Sequence, residues 1–388
     1  MRNGYHNILI MMLMALLSAM LYSCREDDVI FIPEEVQVSN PDYSAVGGFY
    51  LLNEGNMGSN KCTLDYYDLS TGVYTRNIYG NANPNVPKEL GDVGNDLAVY
   101  GSRLYAVVNC SNKVEVMDKH SARRIGQVDI PNCRYIAFHK GYAYVTSYAG
   151  PVVIDPDYQQ LGYVAKVDTA TLQVVAQCIV GYQPDDIEIV DDKIYVANSG
   201  GYRVPNYERT VSVIDVASFK VEENIDVDIN LSRLVADRHG GLWIATRGDY
   251  YQVQSSLYCY DVRKRRIVKH LDVPVSNMWI DGDSIYIVSS AWSHVEMANK
   301  VTYAIVDVEK QERVSESFIT DGSETAIKAP YGIAVNPISK DIYVSDARNM
   351  VNPGYLHCYD RSGVKKWSVR TGDVPAHITF LGENRNER

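Results

Sequence analysis

Short apolar runs alternate with polar, glycine-rich turns along most of this chain. The clearest instance is Ile194–Ser199, Ile-Tyr-Val-Ala-Asn-Ser, followed by a loop and then Val211–Asp215, Val-Ser-Val-Ile-Asp. Runs of β-branched and aromatic residues bounded by Gly, Asn and Asp predict paired antiparallel strands. The second run occurs seven times and closes each time on aspartate: Leu64–Asp68, Val114–Asp118, Tyr163–Asp168, Val211–Asp215, Leu257–Asp261, Tyr303–Asp307 and Leu356–Asp360. An aromatic leads each copy, in order Tyr50, Tyr105, Tyr144, Tyr195, Trp243, Tyr286 and Tyr343. A repeat of about 50 residues built only from short strands predicts one four-stranded blade per repeat. The expected fold is all-β: a seven-bladed β-propeller over residues 45–388.

Blade four shows the expected plan. An inner strand, Asp186–Val190, turns through Asp191-Asp192-Lys193 into the Ile194 strand, and an outer strand, Lys220–Val227, follows Asp215. Equivalent inner strands open with Asp96-Leu97-Ala98-Val99, Tyr135-Ile136-Ala137-Phe138, Leu234-Val235-Ala236, Met278-Trp279-Ile280 and Gly332-Ile333-Ala334-Val335. Blade one lacks such a strand at its start. Val374–Phe380 carries the same pattern at the other end of the chain, so the C-terminus is expected to complete blade one and remove the exposed edges of an open ring.

In such a blade the second-to-third loop and the blade-to-blade connection emerge on one face, and the other two turns on the opposite face. Turns on the second face are short, as in His139-Lys140-Gly141 and Asp281-Gly282-Asp283. Loops on the first face are long: 53–61, 146–162, 197–209, 246–256, 289–302 and 345–355, joined by the connection 79–95. Loops of that length are uncommon unless they bind something. They hold Tyr148, Tyr158, Tyr202, Tyr207, Tyr250, Tyr251, Tyr355 and Trp292, with Arg203, Arg247, Arg348 and His294. Tyr and Trp combine large apolar area with a polar tip and few rotamers, which suits them to ligand contact. Some of these rings are expected only to buttress their own loops. The residues expected to bind ligand are Tyr148, Arg203, Tyr207, Arg247, Tyr250, Tyr251, Trp292, Tyr331 and Arg348.

The N-terminus changes the picture of where this ring works. Arg2 precedes an apolar run, Ile8–Leu21, shorter than the ~20 residues that span a bilayer. Leu21-Tyr22-Ser23-Cys24 then matches the lipobox of a bacterial lipoprotein, which predicts a signal peptide over 1–23 and lipidation of Cys24. Arg25-Glu26-Asp27-Asp28 resembles the acidic export signal of Bacteroidetes surface lipoproteins, and residues 24–44 are expected to form a flexible acidic tether. The formal charge of −11 argues against a nucleic-acid partner. The six remaining cysteines show no metal-ligand spacing. Cys259 and Cys358 read as core, and Cys110 and Cys133 stand where a disulfide could join them. No P-loop, nucleophile elbow or dinucleotide fingerprint is present.

Two resemblances sharpen these expectations. Ile194–Ser199 with Val211–Asp215 resembles the YVTN-type propeller repeat, over nearly all of 45–388. Joined to the lipobox and to the opening Leu52-Asn53-Glu54-Gly55-Asn56, it is similar to the cobalamin-capturing surface lipoproteins of the Bacteroides vitamin B12 uptake system. That resemblance implies a non-enzymatic, lipid-anchored outer-membrane protein, exposed at the cell surface. It would bind cobalamin or a related corrinoid and pass it to a TonB-dependent transporter. The residues themselves leave two alternatives. One is a lactonase-like or quinone-dependent enzyme built on Asp96, Asp185, Asp186 and His377; the other is a protein-docking propeller.

Overall fold

The computed structural model describes residues 34–42, 47–293 and 298–381. The expected signal peptide, Cys24 and the acidic run after it lie outside those residues. Seven antiparallel sheets, one per blade, are arranged as a β-propeller. The inner strands are Gly94–Tyr100, Cys133–His139, Pro184–Val190, Leu231–Ala236, Asn277–Asp281 and Pro330–Val335 in blades two to seven. Pro375–Phe380 supplies the inner strand of blade one and pairs antiparallel with Gly48–Asn53. All six of its residues are buried, so closure contributes core as well as hydrogen bonds.

The repeated aspartates have a common physical role. Asp168 Oδ1 accepts the amides of Ala170 and Thr171, at 2.8 and 2.9 Å. Asp118 does the same for His120 and Ser121, and Asp307 for Glu309 and Lys310. Each carboxylate satisfies the amides of the turn from third to fourth strand, where the ladder cannot. The aromatic anchors pack between blades, and Tyr50 also reaches across to donate to the Lys119 carbonyl of blade two at 2.9 Å. All are buried except Tyr286, which is half-buried.

Three features differ from expectation. Glu35–Gln37, inside the stretch expected to be a tether, forms a fifth, outermost strand on blade one, paired with Val73–Thr75. The Glu34–Arg76 ion pair and the Gln37 carboxamide on the Thr71 carbonyl hold it there, covering an edge that would otherwise be unpaired. In blade six the expected loop 289–302 is largely a hairpin, because Ser284–Ser293 and Ala298–Asp307 extend their pairing outward through that stretch. Cys110 and Cys133 are both free thiols, and Cys133 Sγ instead donates to the Lys113 carbonyl at 3.3 Å.

Candidate ligand site at the propeller axis

The inner strands start at the long-loop end of the axis, and six of the seven carry a register shift there. The ladders break between Pro184 and Ile187, Leu231 and Leu234, Pro330 and Ile333, and Gly94 and Asp96. Equivalent breaks fall between Cys133 and Ile136 and between Pro375 and His377. A bulge leaves a backbone amide unpaired and re-aims the side chains beside it. Here the amides find side chains of a neighbouring blade. Asp96 Oδ2 accepts the Ile136 amide at 3.1 Å, and Asp186 Oδ2 accepts the Leu234 amide at 3.1 Å. At the equivalent place in blade seven stands Gly332, because a Cβ there would lie 2.1 Å from the Ala376 carbonyl oxygen.

The bulged residues form two tiers. In the upper tier Arg134 donates to Asn95 Oδ1 at 2.8 Å and to Asp185 Oδ1 at 3.2 Å. Arg247 donates to Asp185 Oδ2 at 2.7 Å, and the Tyr148 hydroxyl to Asp185 Oδ1 at 2.7 Å. Burial pushes the Asp185 carboxyl up, but Arg247 and Arg134 outweigh it and hold the group below its ordinary value. Glu54 accepts the Tyr331 hydroxyl at 2.9 Å and faces His377 Nε2 at 3.0 Å. The Arg134 guanidinium also lies over the Tyr148 ring, 4.7 Å from its centre.

The lower tier is Asp96, Tyr135, Asp186, Arg233, Asn277 and His377. These residues close one end of an axial cavity of about 1010 Å³ that runs to the short turns, where His139, Lys140, Asp192 and Lys340 line it. His377 links the tiers, since its Nδ1 lies 3.9 Å from Asp96 Oδ1. Burial raises the Asp186 carboxyl, Arg233 opposes that, and Asp96 adds to it, for a net rise. On the other side of the tiers a recess of about 270 Å³ opens among the long loops, lined by Glu54, Arg134, Met57, Tyr202, Tyr331 and Met350. The two tiers therefore separate the axis into two spaces.

The residues expected to bind ligand divide accordingly. Tyr148, Arg247 and Tyr331 are in the upper tier, already engaged by carboxylates. Tyr207, Tyr250 and Tyr251 neighbour one another on the loops of blades four and five. Tyr250 is 51% exposed and Tyr251 67%. Arg203 is tied into its own loops, 3.8 Å from the centre of the Tyr182 ring and donating to the Tyr158 carbonyl at 3.1 Å. Arg348 stands apart on blade seven, over Tyr355 and bonded to the Pro353 carbonyl. The Trp292 side chain and His294 lie outside the described residues. Exposed Met57, Val153, Ile154, Met350 and Val351 complete an apolar rim around the loop face.

Arg134, Tyr135, Arg233 and Glu54 were not among the expected site residues. Arg134 and Arg233 sit just before the runs by which the inner strands align and Tyr135 opens one of them, so superposing the seven repeats from two residues further upstream would have shown the polar ring. Glu54 has no equivalent signal, because it follows a second strand and not an inner one.

Known proteins place the fold and the family. The family described as "Domain of unknown function (DUF5074)" matches residues 47–380, so the chain belongs to that family. No curated protein matches it. Among solved structures it is similar to a quinonprotein alcohol dehydrogenase-like protein from Bacteroides thetaiotaomicron, at 14% identity and a TM-score of 0.58, covering 86% of this chain and 78% of that one. It is also similar to Kuenenia stuttgartiensis hydrazine synthase, at 16% identity and a TM-score of 0.55, covering 69% and 76%. Dihydro-heme d1 dehydrogenase in complex with DHE gives 13% identity and a TM-score of 0.51, covering 90% and 80%. At these identities the likeness concerns the fold alone.

Proposed function

We propose that this member of the DUF5074 family is a surface lipoprotein of the outer membrane. In this reading it captures a large amphipathic molecule, cobalamin or a related corrinoid, on its long-loop face and passes it to a TonB-dependent transporter. The observation that carries the reading is the loop face: Tyr250, Tyr251, Met57, Ile154 and Val351 are exposed on its loops, and Met57 and Met350 line a recess with Glu54, Arg134 and Tyr331. Apolar rings and aliphatic tips suit the faces and edges of a corrin, while Arg134 and Glu54 at the recess suit its peripheral amides. Magnitude decides the mode of binding. The recess, about 270 Å³, is smaller than the roughly 300–1,000 Å³ of pockets that engulf a drug-sized ligand, so a corrinoid would lie across the rim and send only a side arm inward.

Calorimetric titration of residues 30–388 with cyanocobalamin, with co-elution of red colour, tests this directly. The expected result is saturable binding that weakens about tenfold or more in a Tyr250→Ala, Tyr251→Ala double variant. An unbound, colourless protein peak would sink the corrinoid reading. A second reading, an acid–base enzyme, draws on Glu54, His377 and Asp96 standing in line at 3.0 and 3.9 Å. Turnover abolished by His377→Gln with the ring intact would favour it.

A further inference from the structure

The axial cavity takes no part in the function just proposed, yet its closed end carries hydrogen-bonding groups that the protein leaves over. The Arg233 guanidinium lies 3.8 Å from Asp186 Oδ2 and 4.7 Å from the centre of the Tyr135 ring. It makes no hydrogen bond to a described residue, although its side chain is only 15% exposed. The reason is competition. Asp186 Oδ1 already accepts the Ile187 amide at 2.9 Å and Oδ2 the Leu234 amide at 3.1 Å, which hold the carboxylate away from the guanidinium. A largely desolvated guanidinium with five donors and no acceptor is an expensive arrangement unless something else supplies one. The adjacent Tyr135 hydroxyl also has no hydrogen-bond partner among the described residues.

Asp186, beside Arg233 at 3.8 Å, and Asp96 interact unfavourably with each other. Each carboxylate has backbone donors on it, and each keeps lone pairs for a further donor. A bare anion at Arg233 would meet two carboxylates, and a bare cation between the carboxylates would meet Arg233. A molecule carrying both charges answers both. Beyond the charged end the lining is mixed: Ala98, Ala137, Val235 and Trp279 offer an apolar strip, beside Glu188 and the charged residues of the short turns.

We propose that the axial cavity is a second binding site, opening on the short-turn face, for a zwitterionic α-amino acid with an apolar side chain. Its carboxylate pairs with Arg233 and the Tyr135 hydroxyl, its ammonium lies between Asp96 and Asp186, and its side chain runs along the strip of Ala98, Val235 and Trp279. The upper tier separates this site from the loop face, so the two sites load independently.

Titration of the full chain with L-phenylalanine, read by calorimetry and by thermal shift, tests the assignment. Three comparison ligands accompany it: 3-phenylpropionate lacks the ammonium, 2-phenylethylamine lacks the carboxylate, and glucose is a neutral polyol. L-Phenylalanine should bind and raise Tm, with each comparison ligand at least about tenfold weaker. Arg233→Lys keeps the charge but loses the planar fork, and should weaken L-phenylalanine about tenfold while leaving cyanocobalamin binding unchanged. Silence toward L-phenylalanine, equal binding of any comparison ligand, or unaltered affinity in Arg233→Lys would each overturn the proposal. Because the ligand series uses the native chain, it tests the site even if the variant folds poorly. Loss of cyanocobalamin binding alone would bear only on the loop face.

Discussion

Arg134 and Arg233 open inner strands of blades three and five, and they differ by one place in the repeat. Arg134 stands two residues before the apolar Ile136, and Arg233 stands one before Leu234. Both lie inside a bulge, between Cys133 and Ile136 and between Leu231 and Leu234, where the ladder breaks and side chains are re-aimed. Arg134 is thereby delivered to the recess side, where Asp185 and Asn95 satisfy it, and Arg233 to the axial cavity, where Asp186 is already occupied by backbone amides. Identical side chains become part of a seal in one case and an available donor in the other. Residue type alone therefore says little about a propeller axis; its register and the prior commitments of its neighbours say much more.

The largest expected effect comes from removing both tiers' shared member. Deleting residues 375–388 takes away His377 together with the buried inner strand of blade one, and cooperative melting should be lost; a truncated chain that melts as the full one does would refute ring closure. Next comes the pair of aspartates. Asp185→Asn leaves two guanidiniums facing an amide and should cost about 3–5 kcal/mol in urea unfolding. Asp186→Asn keeps an acceptor for Leu234 and removes a charge that burial already disfavours, so stability should stay within about 1 kcal/mol of the parent. Equal losses would dissolve the distinction between the tiers.

The same pair should respond to pH with opposite signs. Asp185 is held below its ordinary value, so its contribution is present above the unfolded-chain value and is lost as pH falls through the folded one. Asp186 is raised, so the native state gains stability as pH falls through its folded value toward the unfolded one. Comparing each Asn variant with the parent across that range shows which sign each carboxyl carries.

A second pH effect separates the axis from the blade interior. His377 has two carboxylates beside it, whereas His357 is 6% exposed and neither of its ring nitrogens has a partner among the described residues. Burial, helped by Lys365, lowers the His357 imidazole from 6.5 to about 4. The unfolded chain then takes up a proton before the native one, so about 3 kcal/mol of stability should be lost as pH falls from 6.5 to 4. His357→Leu should flatten that slope, and an unchanged profile would remove His357 as its cause. On the exposed rim, Tyr250→Ala should shift stability by no more than about 0.5 kcal/mol, because it sits away from core and seal.

The number of blades, the strand quartets, the closing C-terminal strand and the face bearing the long loops are all written locally. Each follows from alternation and turn chemistry within a repeat, or from a missing strand at one end matched by an extra one at the other. The aspartate closing each third strand is equally local, since it bonds amides two and three residues away. Three things needed the folded ring. Glu35–Gln37 pairs only because a three-residue edge strand is there to receive it. The polar seal gathers Glu54, Arg134, Asp185, Arg247 and Tyr331 from blades one, three, four, five and seven, far apart in the chain, and it depends on bulges that no residue pattern announces. The division of the axis into two spaces was likewise decided in three dimensions, because whether a buried charge is satisfied depends on what other segments have already offered its partner.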